Sequence, residues 1–154
     1  MTAKRGMRIG ELAVRSGRSA HSIRWYDAQG LLPGVLRDGA GHRVFSPRHV
    51  EWLALLDRLR STGMSIAQMR TYASLVRQGR SSIGSQRQLL EAHRERVVAT
   101  MAAWDAALEL IDAKLDFYAE WIASGERPAG KAVARKVTAA GNAAGRRRQP
   151  GSAR

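Results

Sequence analysis

The 154-residue sequence predicts a mainly α-helical protein, in which a head of short helices with one small β-hairpin precedes a single long helix. Three observations predict this architecture. Apolar residues recur at helical spacing in short segments of the head, and an Asp-Gly turn separates two of those segments. From residue 97 onward the apolar residues instead recur at steps of four and three, as expected for a long helix with a continuous apolar stripe.

Composition narrows the classes of function before any motif is considered. The chain has 26 Lys and Arg against 13 Asp and Glu, and this net charge of +13 makes a polyanion the first partner to expect. It has no cysteine, which excludes disulfides, cysteine-ligated zinc and thiol chemistry. No stretch resembles a transmembrane helix or a secretory signal. We therefore expect a cytoplasmic protein with no membrane partner.

The charge is concentrated at the two ends of the chain. Residues 1–80 carry 14 basic and five acidic side chains, whereas residues 81–127 carry five basic and eight acidic ones. Residues 128–154 carry seven basic side chains and no acidic one, and they are rich in Ala and Gly. This composition predicts a basic, disordered tail over 128–154. The tail is either a solvated linker or a segment that binds phosphates without sequence preference.

Two short helices are predicted at the start of the head. The spacing of Ile9, Leu12 and Ala13 predicts a helix over about residues 9–15. Ser19 then suits the N-cap of a second helix over about residues 20–29, which Gly30 ends. Two short helices joined by a turn of about four residues are typical of a helix-turn-helix, although many helical hairpins share the pattern.

A β-hairpin is predicted directly after these helices. Residues 36–37 and 43–45 flank the segment 38–42, which contains Asp-Gly and a further Gly. Strands this short need support from neighbouring helices. A hairpin in this place is the wing of a winged helix-turn-helix.

Two further helices complete the predicted head. Ser46 and Pro47 suit the N-cap and first position of a third helix, and Gly63 ends it. Ser65 and Gln68 form the pattern of a capping box for a fourth helix. The predicted apolar faces are Trp52, Leu55, Leu56 and Leu59 in the third helix and Ile66, Met69, Ala73 and Val76 in the fourth.

A heptad seam is predicted in the long helix, which begins at Ser82 or Ser85 and ends near Gly125. Its apolar residues repeat every 3.5 residues on average, and an unpaired helix cannot bury such a stripe on itself. The helix either packs on the head of its own chain or, as we favour, pairs with a second subunit in parallel or antiparallel orientation. The seam weakens towards the head, because Arg87 and Arg94 occupy seam positions there. The seam residues are Val97, Met101, Trp104, Leu108, Ile111, Leu115, Tyr118 and Ile122.

Five segments of the head occur in a fixed order and spacing, and together they span most of it. The segments are Ile9–Ala13, Ser22–Asp27, Gly30–Pro33, Gly41–Ser46 and Gly63–Met69. They closely resemble the motifs of the MerR family of bacterial transcription regulators. The departures are mild, with Trp25 and Asp27 where Tyr and Glu are common, and His42 and Phe45 where Tyr is common.

The resemblance implies a fold, a partner and a mechanism. It implies a winged helix-turn-helix DNA-binding domain over residues 7–78 and a dimerisation helix over 82–124 that forms an antiparallel coiled coil in a homodimer. MerR-like dimers bind double-stranded promoter DNA with an overlong spacer, bend and untwist it, and so act on RNA polymerase indirectly. This would place the protein at the nucleoid of a bacterial cytoplasm. The alternative is an architectural or excisionase-like DNA-binding protein that senses no ligand.

The candidate DNA-binding residues lie in the second helix, the turn before it and the wing. Arg24 can donate two hydrogen bonds to guanine, and Arg43 suits a backbone or minor-groove contact from the wing tip. Tyr26 either directs its hydroxyl to a phosphate or packs inside, and Trp25 is as well explained by core or hairpin support. The candidates are Arg18, Ser19, His21, Ser22, Arg24, Tyr26, Arg37, His42 and Arg43.

Neither an enzyme nor a metal or cofactor site is predicted. There is no nucleophile–base pair or phosphate-binding Gly loop, and the four histidines lack the spacing of metal ligands. No motif in the sequence indicates an effector. The segment from Gly79 to Tyr118 is similar to a subgroup linked to aldehyde and electrophile stress, but those members rely on a cysteine that this chain lacks. A small ligand could bind near Trp104, Tyr118 or Trp121, although these aromatic residues are more simply explained as dimer core.

Overall fold

The computed structural model describes residues 6–129 and confirms the predicted mainly helical architecture with a winged helix-turn-helix head. The predicted tail lies outside the described residues, apart from Pro128 and Ala129. In the part of the chain that is described, no helix is both long and apolar enough to cross a membrane. The elements are α1 (Ile9–Ser16), α2 (Ala20–Ala28), β1 (Leu36–Arg37), β2 (Arg43–Val44), α3 (Arg48–Ser61), α4 (Ile66–Gln78), a 3₁₀ turn (Gly79–Ser82) and α5 (Ile83–Ser124).

The helix-turn-helix forms where its capping residues predict. Gly17 ends α1 in the left-handed conformation, at φ 66°, which glycine adopts without steric cost. The hydroxyl of Ser19 then accepts a hydrogen bond from the backbone N–H of Ser22 and caps α2. The turn between the two helices is therefore determined by local chemistry.

The wing is a two-stranded antiparallel sheet. Leu36 pairs with Val44 and Arg37 pairs with Arg43. An isolated bridge between Met7 and Phe45 extends the pairing beyond the hairpin, and both of these side chains are buried. The support that such short strands need thus comes from the segment before α1 and from the core.

A histidine organises the start of α3. The backbone N–H of Ser46 donates to Nδ1 of His49 over 3.0 Å, so the side chain of His49 satisfies a backbone donor just before α3. Because Nδ1 accepts this bond, Nε2 carries the proton and donates to the carbonyl of Pro33 over 3.1 Å. This role of His49, which is buried and joins α3 to the chain before the wing, was not predicted from the sequence.

The core of the head forms where α1, α2, α3, α4 and the wing meet. The indole of Trp52 stacks on the ring of Tyr72 with centroids 5.4 Å apart and donates to the carbonyl of Leu31 over 2.7 Å. Two core residues, Leu53 and Tyr72, lie outside the predicted apolar faces. The fully buried large side chains are Leu12, Ile23, Leu31, Phe45, Leu53, Leu56 and Met69.

The start of α5 packs with the head. The chain divides into two compact units between Val97 and Val98, so the first unit includes the start of α5. Leu89 and Leu90 pack against the head core. Nε2 of the buried His93 lies 2.8 Å from the hydroxyl of Thr62, which follows α3. Burial lowers the pKa of His93, and the neighbouring charge of Arg96 lowers it further.

The capping box before α4 is confirmed. The hydroxyl of Ser65 accepts the backbone N–H of Gln68, and the side chain of Gln68 accepts the backbone N–H of Ser65 over 3.0 Å. Each bond satisfies a backbone donor that the first turn of a helix leaves free. Of the predicted inner face of α4, Met69 and Ala73 are buried.

We expect Leu53→Ala to lower the free energy of unfolding by about 2–5 kcal/mol, because the change leaves a cavity at a fully buried position. Urea denaturation followed by circular dichroism measures this loss. The control is Val14→Ala at a strongly exposed position of α1, where we expect less than about 0.5 kcal/mol. Equal effects of the two variants would contradict the core assignment of Leu53.

Candidate nucleic-acid interface

The second helix of the helix-turn-helix has one buried and one exposed side. Ile23 and Tyr26 point into the core, and Tyr26 is only 3% exposed. His21, Arg24 and Trp25 lie on the exposed side. The ring of Tyr26 therefore packs in the core, which was one of the two predicted alternatives for this residue. The base contact expected of Arg24 stays a prediction, from an exposed position that suits it.

A concave surface lies beside this exposed side. Residues of the turn, α2 and α3 line a cavity of about 760 Å³. The exposed Arg58 and Arg60, in the last turn of α3, add two guanidinium groups to it, and such groups can donate hydrogen bonds to phosphate oxygens. These two residues were not among the candidates predicted from the sequence, where the signal for them is the Arg-Leu-Arg run at the end of the third helix. The lining residues are Arg18, His21, Ser22, Trp25, Tyr26, Asp57, Arg58, Arg60 and Ser61.

The guanidinium of Arg18 is engaged within the head. It forms an ion pair with Asp57 of α3, and it lies 5.4 Å from the ring centroid of Tyr26. The side chain of Arg18 is only 15% exposed. The structure thus places Arg18 as a link between the turn and α3, and its expected phosphate contact stays a prediction.

The carboxylate of Asp38 organises the tip of the wing. It accepts the backbone N–H of His42 over 2.8 Å and of Ala40 over 3.1 Å, and it pairs with Nη2 of Arg8 over 2.6 Å. These donors, the His42 N–H first and the Arg8 guanidinium next, lower the pKa of Asp38. Arg37 donates to the carbonyl of Gly41 over 2.8 Å and closes the turn from the other strand. The wing tip is therefore an ordered loop.

Arg43 lies in the predicted second strand of the wing. It is opposite Arg37 in β2, and its Nε donates to the Asp27 carboxylate of α2. His42 is exposed in the turn, whereas Arg43 joins the wing to the second helix, and its expected DNA contact stays a prediction. Its place in β2 follows from the Asp38 turn, which closes the hairpin one residue before it.

Two arginines of α4 hold the C-terminal end of α2. Arg70 donates to the backbone carbonyl of Gln29 over 3.1 Å and also contacts its side-chain oxygen. Arg77 donates to the carbonyl of Gly30 over 2.9 Å. Cations are favoured at this end of a helix because the carbonyl dipoles point towards it. The position of α2 is thus set from both ends and from its buried side.

The seam residues of α5 have no cover within the described chain. Those in the second compact unit, from Met101 to Ile122, are 46–85% exposed, and Val97 is half-buried. Beside the seam, Phe117 is buried, with Nζ of Lys114 4.5 Å from its ring centroid. A shallow cavity of about 410 Å³ is lined by Tyr118, Trp121, Ile122 and Gly125. Across residues 6–129, no cluster of three or more metal-ligating side chains occurs.

Family models match most of the described chain. A model described as "MerR HTH family regulatory protein" matches residues 7–75, which include α1 to α4 and the wing. A second model, described as "MerR, DNA binding", matches residues 50–114, from α3 into α5. The matches thus cover the helix-turn-helix, the wing and part of the long helix.

Individual relatives agree with the family models. An uncharacterized HTH-type transcriptional regulator of Haemophilus influenzae is 37% identical over 106 residues, covering 69% of this chain and 78% of the relative. The HTH-type transcriptional regulator AdhR of Bacillus subtilis is 27% identical over 92 residues, covering 60% of this chain and 66% of AdhR.

A solved structure extends the likeness to three dimensions. It is HiNmlR, described as a MerR family regulator lacking the sensor domain, bound to promoter DNA. The TM-score is 0.65 at 34% identity, and the match covers 79% of this chain and 96% of HiNmlR. Together with the exposed side of α2 and the ordered wing, these similarities show that the chain belongs to the MerR family of DNA-binding transcriptional regulators.

Proposed function

We propose that this protein binds promoter DNA as a homodimer and regulates transcription by bending and untwisting an overlong promoter spacer. The observation that carries the proposal is the exposed heptad seam of α5, because a row of large apolar side chains this exposed requires a partner. This chain matches nearly the whole length of HiNmlR, and HiNmlR is bound to promoter DNA. That likeness supports the same class of ligand here.

Each subunit contributes one reading head. The exposed side of α2 enters the major groove, where Arg24 can recognise guanine and the hydroxyl of Ser22 and ring of His21 can reach bases or phosphates. The wing lies over the neighbouring DNA backbone, and His42 is at the tip of the wing. Arg58 and Arg60 add phosphate contacts from the cavity beside α2. These contacts orient the head, and Arg24 supplies base preference.

The partner of the seam is a second copy of α5. Full burial of one leucine-sized side chain contributes about 1.5–3 kcal/mol to association, and the seam offers several. Two identical stripes related by a two-fold axis bury each other without any further protein. The same axis presents two heads to two half-sites of DNA, so one interface accounts for both the exposed seam and a dyad-symmetric operator.

Side-chain size favours an antiparallel pair. With the two-fold axis midway along the seam, Trp104 packs against the partner's Leu115, Met101 against the partner's Tyr118, and Leu108 against the partner's Ile111. Each layer then contains either one larger and one smaller side chain or two side chains of similar size. This combination fills the interface evenly. A parallel pair would instead stack each Trp104 on its own copy and bring both copies of Arg94 together in the seam.

The ends of the seam fix the register of this pair. Val97 and the partner's Ile122 form the last apolar layer. The next layer would bring Arg94 opposite a residue just beyond Ser124, where α5 ends. Sliding the helices by one heptad would bury Arg94 opposite Tyr118, and the Leu90 layer is already packed against the head core. The chosen register places Asp105 beside the partner's Asp112, a like-charge pair that added salt screens.

A dimer of this kind regulates through DNA shape. Bending or untwisting a promoter costs several kcal/mol, and the contacts of the two heads supply that energy. The distorted spacer brings the promoter elements into register for RNA polymerase, which the regulator therefore influences through the DNA. An architectural protein would bind and bend DNA without a dyad-symmetric preference.

We expect binding-site selection from a random library to return one dyad, and circular-permutation gels to show that the dimer bends it. Arg24→Ala should relax the preference at one position of each half-site, at a cost of roughly 1–3 kcal/mol, because one bidentate base contact is lost. The matched control is Arg80→Ala, an exposed arginine of the 3₁₀ turn, which should keep the selected motif.

Three outcomes would count against this function. Selection without a dyad would favour the architectural alternative. A dyad that remains straight would remove the distortion mechanism while keeping sequence-specific binding. An unchanged motif for Arg24→Ala would remove Arg24 from base readout.

We expect cysteine cross-linking to report the orientation of the coil, because the natural chain has no cysteine to interfere. The double variant Met101→Cys/Tyr118→Cys should form a covalent dimer under mild oxidation, since the two positions face each other across the antiparallel seam. Neither single variant should cross-link to its own copy. Sedimentation of Leu108→Asp should show a monomer, because an unpaired carboxylate cannot be buried in the seam.

The controls separate register from association. Met101→Cys/Ile111→Cys samples the pair shifted by one heptad and should cross-link poorly. Self-cross-linking of Met101→Cys alone would establish a parallel coil. A native chain that sediments as a monomer would refute the dimer itself, whatever the cross-linking pattern.

A further inference from the structure

A carboxylate lies on the helix that faces DNA. Asp27 is one helical turn after Arg24 in α2, and its side chain is 19% exposed. DNA phosphates repel a carboxylate, so electrostatics alone predicts that Asp27 weakens DNA binding and that its removal strengthens it. The contact that Asp27 makes in the folded head leads to the opposite expectation.

Asp27 binds the guanidinium of Arg43 at Nε. Its Oδ2 accepts a hydrogen bond from Nε of Arg43 in β2, and these two side chains directly join the second helix to the wing. A guanidinium has five N–H donors in one plane, one on Nε and two on each terminal amino group. Donation from Nε to Asp27 therefore leaves the terminal amino groups for other acceptors. The side chain of Arg43 is 37% exposed. Among residues 6–129, no further acceptor for Arg43 appears, so its terminal amino groups are available to a ligand.

The pairing of two arginines across the hairpin gives this carboxylate a second effect. Arg43 pairs with Arg37 across the two strands, and like charges directly opposite each other destabilise a hairpin. Asp27 offsets one of the two charges, while Arg37 turns to the carbonyl of Gly41. The two arginines therefore have different roles: Arg37 closes the turn, and Arg43 is oriented from the second helix.

We propose that Asp27 is a positioning residue that orients Arg43 so that its terminal amino groups bind a DNA backbone phosphate between the second helix and the wing. Two parallel N–H donors match two phosphate oxygens. An arginine already held at Nε has lost much of its rotamer freedom before DNA arrives, so less entropy is lost on binding. The inference rests on the proposed function in that it needs DNA as the ligand, but it needs no particular sequence.

A double-mutant cycle on DNA binding tests this role. Fluorescence anisotropy with a labelled duplex, at several salt concentrations, gives both affinity and salt dependence. We expect Asp27→Asn to weaken binding about tenfold and to reduce the salt slope by about one phosphate contact, although it removes a negative charge. In the Arg43→Ala background, Asp27→Asn should not weaken binding further. Asp27→Glu should restore most of the affinity, because it keeps a charged carboxylate acceptor for Nε, whereas the amide oxygen of Asn accepts only a weaker, neutral hydrogen bond.

Two controls separate orientation from folding. Arg37→Ala removes the like charge opposite Arg43, and Asp27→Asn should still weaken DNA binding in this background, because orientation of Arg43 does not depend on Arg37. Arg43→Lys keeps the positive charge but has no Nε–H, so it should reproduce the loss seen with Asp27→Asn. Thermal unfolding of each variant, followed by circular dichroism, shows whether the head remains folded.

Two results would overturn the proposal. One is stronger DNA binding by Asp27→Asn, as simple charge removal predicts. The other is an equal loss from Asp27→Asn with and without Arg43. The salt slope can be measured on a duplex of arbitrary sequence, because phosphate contacts do not depend on bases. Failure of the native protein to select a dyad would therefore refute the proposed function without deciding the role of Asp27.

Discussion

The anchoring of α2 is the constraint on which the rest of the head depends. A helix of nine residues is too short to be stable alone, so its position must come from its neighbours. Ser19 caps its start, Ile23 and Tyr26 fill the core beneath it, and two arginines of α4 bind the carbonyls after its end. Side chains on the exposed face can then meet a DNA groove in one geometry, which base recognition requires.

Charge serves two purposes in this head, and tertiary contacts separate them. The ion pairs Arg18–Asp57 and Arg43–Asp27 use arginines of a strongly basic protein to join the turn to α3 and the wing to α2. Arg24 lies exposed on α2, and Arg58 and Arg60 lie exposed at the end of α3. A count of positive charges near a helix-turn-helix therefore does not by itself separate arginines that hold the fold from arginines that only face solvent.

The long helix presents the opposite situation to the head. The head buries its apolar residues within one chain, whereas the seam residues of α5 beyond Val98 remain exposed. Hydrophobic burial is the main favourable term in both folding and association, so the effect that closes the head also favours the proposed pairing of α5 with a second copy.

Elements whose causes are local follow from the order of residues along the chain. These elements act through nearby backbone groups, so their effects depend only on neighbouring residues. They are Gly17, the Ser19 cap, the Asp38–Gly39 turn and the Ser65 capping box. The 3.5-residue repeat likewise depends only on spacing. The structure alone decided which side chains meet across elements. His49 reaches Pro33, Arg43 reaches Asp27 and His93 reaches Thr62 over separations of 16 to 31 residues. No local spacing encodes such contacts, because they arise only when packing of the core brings distant segments together.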